Sequence, residues 1–173
     1  MAKTDTFFIR ATLNAGNTNA YAEEAIDLGT YVNALEKSVL RIKSVQVAYS
    51  DSTGRSSQIA PNDVGVAQYQ LTTQSQTDII LPSDNAVIAS GKVHLYNDLA
   101  AAGLATMVSD ANDLNPVTFG TDGYIVAVDT IFLGGSSSTA FSGNNYISVI
   151  LECQVETLTT AKAMALALSQ QGN

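Results

Sequence analysis

From Ile147 to Val155 every second residue is apolar: Ile147, Val149, Leu151, Cys153 and Val155. Ser148, Glu152, Gln154 and Glu156 occupy the alternate positions, with Ile150 the apolar exception. Successive side chains of an extended backbone point to opposite faces, so the segment Tyr146–Thr157 reads as a strand with one buried face. That constraint is severe. A strand of this length needs pairing on its edges and a second layer over its apolar side.

The same pattern recurs along the chain. Phe7, Ile9, Ala11 and Leu13 share one face of a strand spanning Thr4 to Leu13, and Asn14–Asn19 reads as a turn-rich loop. Ala25–Gly29 reads as a short strand running into a turn, and Thr30–Lys37 as one or two helical turns with Thr30 as cap. In Ser38–Ser50 the apolar positions Leu40 and Ile42 are out of phase with Val45, Val47 and Tyr49. One extra residue near Lys43–Ser44, a β-bulge, returns all of them to one face. Asp51–Arg55 is a turn, Ser56–Gly65 a loop, and Val66–Thr73 a strand with Ala67, Tyr69 and Leu71 opposed to Gln68 and Gln70. Ile79–Leu81 is a short apolar patch. Ala86–Tyr96 is a strand broken or bulged at Gly91, and Asp98–Val108 reads as a short helix. Tyr124–Leu133, apolar on nearly both faces, reads as a central strand. Gly134–Asn145 joins it to the last strand as a long hairpin.

At Thr157 the period changes. Leu158, Ala161, Met164, Ala165 and Leu168 follow helical spacing through Gln170, with Thr157 or Thr159 as cap. This larger stripe is expected to pack on the sheets and Leu166 to face outward. Roughly eight strands with long loops predict a mainly β chain. The expected architecture is an antiparallel two-sheet sandwich, a single jelly-roll, over residues 1–157, with a C-terminal helix and tail over 158–173 in the same domain. An immunoglobulin-like sandwich is the runner-up, but its paired Cys and buried Trp are missing: the chain has one Cys and no Trp.

Composition limits the partners. Charged residues are 14% of the 173, and the formal net charge is −8. An acidic chain with scattered cations does not bind nucleic acid through its phosphates. No apolar run is long enough to span a bilayer, and the first ten residues lack a signal-peptide core, so synthesis in a cytoplasm is expected.

Few residues invite chemistry. His94, the one histidine, has no recognisable nucleophile frame around it. Cys153 falls on the apolar face of the last strand and reads as a small buried hydrophobe. Gly134–Ser138 lacks the lysine of a phosphate loop. Asp110–Asn115 is rich in oxygen donors but lacks the glycine and closing glutamate of a calcium loop. Glu23–Glu24 and the pair Glu152 and Glu156 have no aromatic platform for sugar chemistry, and Glu152 and Glu156 read as a solvated edge. No catalytic, cofactor or metal residue is assigned, and no enzymatic activity is expected.

The strand pattern resembles that of the single jelly-roll capsid proteins of tailless, membrane-containing double-stranded DNA viruses. The segments that carry it are Phe7–Arg10, Ile26–Gly29 leading to Ser38–Ile42, and the closing pair Tyr124–Leu133 and Tyr146–Thr157. The resemblance implies a capsid shell subunit of a virion, made in the host cytoplasm and acting by self-association. It further implies a second capsid protein sharing the lattice and an internal membrane beneath the shell. A carbohydrate- or ligand-binding sandwich module is the alternative.

Overall fold

The computed structural model describes residues 4–33, 37–97, 106–108, 117–120 and 122–170. The strands are β1 (Phe7–Gly16), β2 (Ala22–Asp27), β3 (Ser38–Ser50), β4 (Asp63–Thr72), β5 (Val87–Asn97), β6 (Thr106–Val108), β7 (Val117–Thr118), β8 (Tyr124–Val126), β9 (Thr130–Ser137) and β10 (Asn145–Thr157), followed by the helix α1 (Thr160–Gln170). One sheet runs β1-β10-β3 and ends in the short strands β7 and β8, which both pair with β3; the other runs β2-β9-β4-β5-β6. All pairings are antiparallel. Consecutive strands cross repeatedly between the two sheets, so that β10 lies between β1 and β3, and β9 between β2 and β4. That double Greek-key order is the jelly-roll.

The core lies between the sheets. Leu13, Ile42, Val45, Tyr69, Leu71, Ile131, Leu133, Ile147, Val149 and Leu151 are all buried there. β10 has the register its alternation requires, with Ile147, Val149, Leu151 and Cys153 buried. The phase slip in β3 is a bulge. Glu152 pairs with Ser44 and Cys153 with Ile42, which leaves Lys43 as the extra residue. A smaller cluster of Ile59, Ala67, Ala140 and Phe141 closes one end.

Several expectations are corrected. β1 continues to Gly16, because pairing with β10 persists past a bulge at Ala15, so the expected loop starts late. Thr30–Lys37 holds no helix among its described residues: Val32 N–H donates to the Leu28 carbonyl in a single turn, and Asn33 then pairs with Ser38. β4 starts at Asp63 rather than Val66. β5 passes through Gly91 unbroken, and its irregularity falls at Ile88. Thr106–Val108 is a strand where a helix was expected, and 98–105 lie outside the described residues.

Tyr124–Leu133 is two strands. β8 pairs with β3 in one sheet, and β9 pairs with β2 and β4 in the other. The segment is apolar on both faces because it changes sheets in mid-course. Gly134–Asn145 is therefore no hairpin: β9 runs through its first part to Ser137, and the connection carries the chain back across to β10.

The helix is also turned relative to the expected face. Ala163, Ala167 and Gln170 are buried, while Met164 and Leu168 are exposed. Ala163 and Ala167 pack with Val39 and Ala127, and Leu158, Leu166 and Ile125 flank them. Small residues on both partners let the helix lie close to the outer face of the β3–β8 corner. The Thr159 carbonyl accepts the first helical N–H, from Ala163, at 3.0 Å, so Thr159 holds the cap position.

Candidate assembly surface

The residues that invited chemistry are dispersed. Cys153 is fully buried in the core, where desolvation pushes its thiol up to about 12. His94 stands on the outer face of β5, opposite Val66. Asp110–Asn115 lie outside the described residues. Among the described residues no cluster of three His, Cys, Asp or Glu forms a metal-ligand set.

Glu152 and Glu156 share the outer face of β10 but serve different partners. Ser44 donates to Glu152 at 2.9 Å. Glu156 is 1% exposed, so this end of β10 is not a solvated edge. β10 is a central strand, and the Arg41 guanidinium contacts Glu156 Oε2 through Nε, at 2.5 Å, and through Nη2. The other carboxylate oxygen, Oε1, is buried without a hydrogen-bond partner among the described residues. Arg41 is roofed by the turn at Gly123, whose φ is +67°; a Cβ there would meet the Ile42 carbonyl at 2.7 Å. Alternation alone reads Arg41 and Glu156 as solvent-facing. The signal available in sequence was their occurrence on the two longest strands, flanking an apolar helix.

Glu23 and Glu24 also part. Glu23 pins the β4–β5 connection onto the sheet, accepting from Ser75 Oγ at 2.6 Å, Gln76 N–H at 2.8 Å and Tyr21 OH at 3.0 Å. Burial and this carboxylate push the Tyr21 phenol up. The Tyr21 ring lies directly on Gly134, where any Cβ would overlap the phenol. Gly134 is thus a close-approach glycine inside β9. Gln70, buried on the same face, donates to and accepts from the backbone of Ile80. The connection arches over an open pocket of about 560 Å³ lined by Gln68, Ser90, Lys92, Ile79, Leu81 and Pro82.

The exposed surface carries large apolar side chains on strands, on the β4–β5 connection and on α1. Phe8, Val64, Leu81, Tyr96, Met164 and Leu168 are the large exposed apolar residues among those described. Leu81 and Leu168, 75% and 70% exposed, line one open groove of about 660 Å³ between the β4–β5 connection and α1. Met164 lies one helical turn before Leu168 on the same side. Gln170 fixes the helix there. Its side chain accepts from Ala127 N–H at 2.8 Å and donates to the Ile125 carbonyl at 2.7 Å, while its backbone carbonyl accepts from Gln74 at 3.2 Å.

No family model matches the sequence, and neither does any curated protein. Solved structures do match. VP1 of chimpanzee polyomavirus, in its apo form, aligns with 89% of this chain and 96% of its own at 6% identity, with a TM-score of 0.51. The unassembled VP1 pentamer of KI polyomavirus covers 89% and 95% at 5% identity, TM-score 0.48. The unassembled VP1 pentamer of Merkel cell polyomavirus covers 86% and 94% at 10% identity, TM-score 0.46. The chimpanzee polyomavirus protein and this chain therefore share a fold, and the expected likeness to viral jelly-roll capsid proteins holds at that level.

Proposed function

We propose that this chain is a virion structural protein, a capsid shell subunit that acts by self-association. The observation that carries the reading is a jelly-roll, the fold shared with a polyomavirus VP1, that leaves Leu81 and Leu168 exposed in the lining of one groove, with Met164 exposed on the same helix as Leu168. Exposed apolar groups gathered in this way mark an interface. The proposal places the protein in the virion after synthesis in the host cytoplasm, with strands and helix acting as one domain and no catalytic role. A second capsid protein in the lattice and an internal membrane beneath it belong to the same proposal. Cross-linking of purified virions tests the former, and lipid analysis the latter.

Sedimentation velocity across a wide concentration range, with negative-stain electron microscopy of the same samples, tests the central claim. Concentration-dependent growth into closed rings or shells is the expected result. A chain that stays monomeric throughout overturns it. The pocket lined by Gln68, Ser90 and Lys92 favours a second reading, a carbohydrate- or ligand-binding module. Saturable glycan binding by a strictly monomeric protein is the outcome that selects it.

A further inference from the structure

Among the described residues five strands are paired along one side only: β1, β2, β6, β7 and β8. Such an edge presents a row of backbone N–H and C=O groups ready to pair with another chain, and proteins blunt it by shortness, proline or charge. β6, β7 and β8 have two or three residues each. β2 has six, among them the acids Glu23, Glu24 and Asp27. β1 has ten, with no proline, no lysine and Arg10 as its one charge. Of the five edges, β1 alone is long and nearly uncharged. Its inner-face residues Phe7, Ile9 and Ala11 are only partly buried, whereas Leu13 further along the strand is buried. A strand added at this edge continues the sheet over them.

We propose that β1 pairs antiparallel with β1 of a second copy about a two-fold axis, making one sheet continuous across the dimer. The proposal rests on the self-association reading and names a contact that carries it. An unpaired strand edge takes another extended backbone, and two-fold contacts of a patch with itself are the commonest among homo-oligomers. The area suffices. At about 3.4 Å per residue β1 is about 34 Å long, and two sheets about 10 Å apart make the side of the sandwich about 20 Å deep with its outer side chains. Contact along that side covers about 700 Å² on each copy, or about 1,400 Å² together, within the range of specific interfaces.

The sequence selects the register. A two-fold axis perpendicular to the sheet keeps each side chain on its own face, so opposed residues have numbers of like parity. β1 is regular against β10 over 7–14, before the bulge at Ala15. Two registers centre on that span. One sets Arg10 against the partner's Arg10, and like charges directly opposed are unfavourable. The other sets Ala11 against the partner's Ala11, Ile9 against the partner's Leu13, Arg10 against the partner's Thr12 and Phe8 against the partner's Asn14. The second is the register proposed. The neighbouring β2 edge sets its salt dependence. Arg10, Glu24 and Asp27 line the recess between β1 and β2, so pairing gathers those of both copies with the acids in excess. Backbone pairing opposed by this repulsion tightens as salt screens it. The contact closes at two copies and leaves the groove beside α1 for growth beyond the dimer.

Cysteine placement tests the register. Residues opposed across an antiparallel pair have Cα atoms about 4.5–5.5 Å apart, within disulfide reach. The native thiol, Cys153, is buried. Ala11→Cys chains are expected to form a disulfide-linked dimer on mild oxidation. Asn14→Cys chains form none alone and cross-link when mixed with Phe8→Cys chains. Covalent dimers of Asn14→Cys alone overturn the pairing. So does the absence of an Ala11→Cys dimer under conditions where the unaltered chain associates.

Hydrogen exchange on the unaltered chain gives a second measurement that no substitution can disturb. Raising the concentration through association slows alternate β1 amides by about tenfold or more and leaves the β2 amides as they were. Raising sodium chloride from about 50 to about 500 mM strengthens association by about threefold or more. Association that leaves the β1 amides unprotected, or that salt weakens, overturns this inference alone. An unaltered chain that never associates overturns the self-association reading along with it.

Discussion

The buried pair Arg41–Glu156 gives the most discriminating prediction about the fold. Both side chains project from the outer face of the first sheet, where alternation alone leaves them in water. Glu156 is 1% exposed and the Arg41 side chain 10%. Replacing Glu156 by Leu keeps the volume and leaves a guanidinium buried with no counter-charge. Removing one partner of a buried pair costs about 3–5 kcal/mol. The small opening beside Arg41 lets water relieve part of that, so about 3 kcal/mol is expected. Arg41→Met strands the carboxylate instead, and Glu156 Oε1 already lacks a hydrogen-bond partner among the described residues, so the loss is at least as large. The double variant Arg41→Met with Glu156→Leu removes both charges and fills the same space. It is expected to be close to neutral, or stabilising by about 1 kcal/mol.

Urea unfolding of the subunit measures this. With a slope of about 2 kcal/mol per molar, each single change lowers the midpoint by about 1.5 M, and the double change restores it. High salt leaves the cost in place, since a buried pair is little screened. A double variant as unstable as the sum of the singles refutes the reasoning, because the two residues then act independently. So does a single change that moves the midpoint by less than about 0.3 M.

Three further outcomes are expected. Leu151→Ala lowers stability by about 2–5 kcal/mol because the side chain is fully buried, while Gln154→Ala on the opposite face of β10 costs little; equal shifts in melting midpoint contradict the register. The Cys153 thiol, held up at about 12 against an ordinary 9.0, stays protonated in the folded chain while the unfolded chain ionises. The unfolded state then binds fewer protons, so stability is intact below about pH 9 and falls between there and pH 12; thiol reagents label the unfolded chain and spare the native one. Truncation after Thr157 removes the contacts of Ala163 and Ala167 with Val39 and Ala127 and one wall of the Leu81 groove. A folded β-sandwich by circular dichroism that fails to assemble is expected, and normal assembly of the truncated chain contradicts the role given to the helix.

The sandwich was legible wherever a strand has one buried face. β10 and β1 show their register directly, and the phase slip in β3 located the bulge at Lys43 because a one-residue shift sends every later side chain to the other face. Legibility failed where a segment does not stay in one sheet. Tyr124–Leu133 looked like a single central strand because Val126 and Ile131 are both buried, yet they belong to different sheets. The helix failed for a different reason. Periodicity picks out its largest apolar residues, but close approach to the sheet selects the smallest, and Ala163 and Ala167 took the buried side.

The same distinction separates fold from function in this chain. The residues that build the sandwich obey alternation, and a pattern can be read without knowing what covers what. The residues proposed for assembly depart from it. Leu81 lies in a connection rather than a strand, and Met164 and Leu168 belong to the stripe that periodicity assigns to the core. Each departure gains meaning only from tertiary placement, which sets Leu81 beside Leu168 although they are far apart in sequence. Arg41 and Glu156 depart in the opposite sense, as charges withdrawn from water at the corner where the helix docks. Their position ties the seat of α1 to the pairing of β3 with β10. A change that loosens this pair therefore acts on the groove as well as on the fold. Assembly of the Arg41→Met, Glu156→Leu chain separates the two effects, because it restores packing without restoring charge.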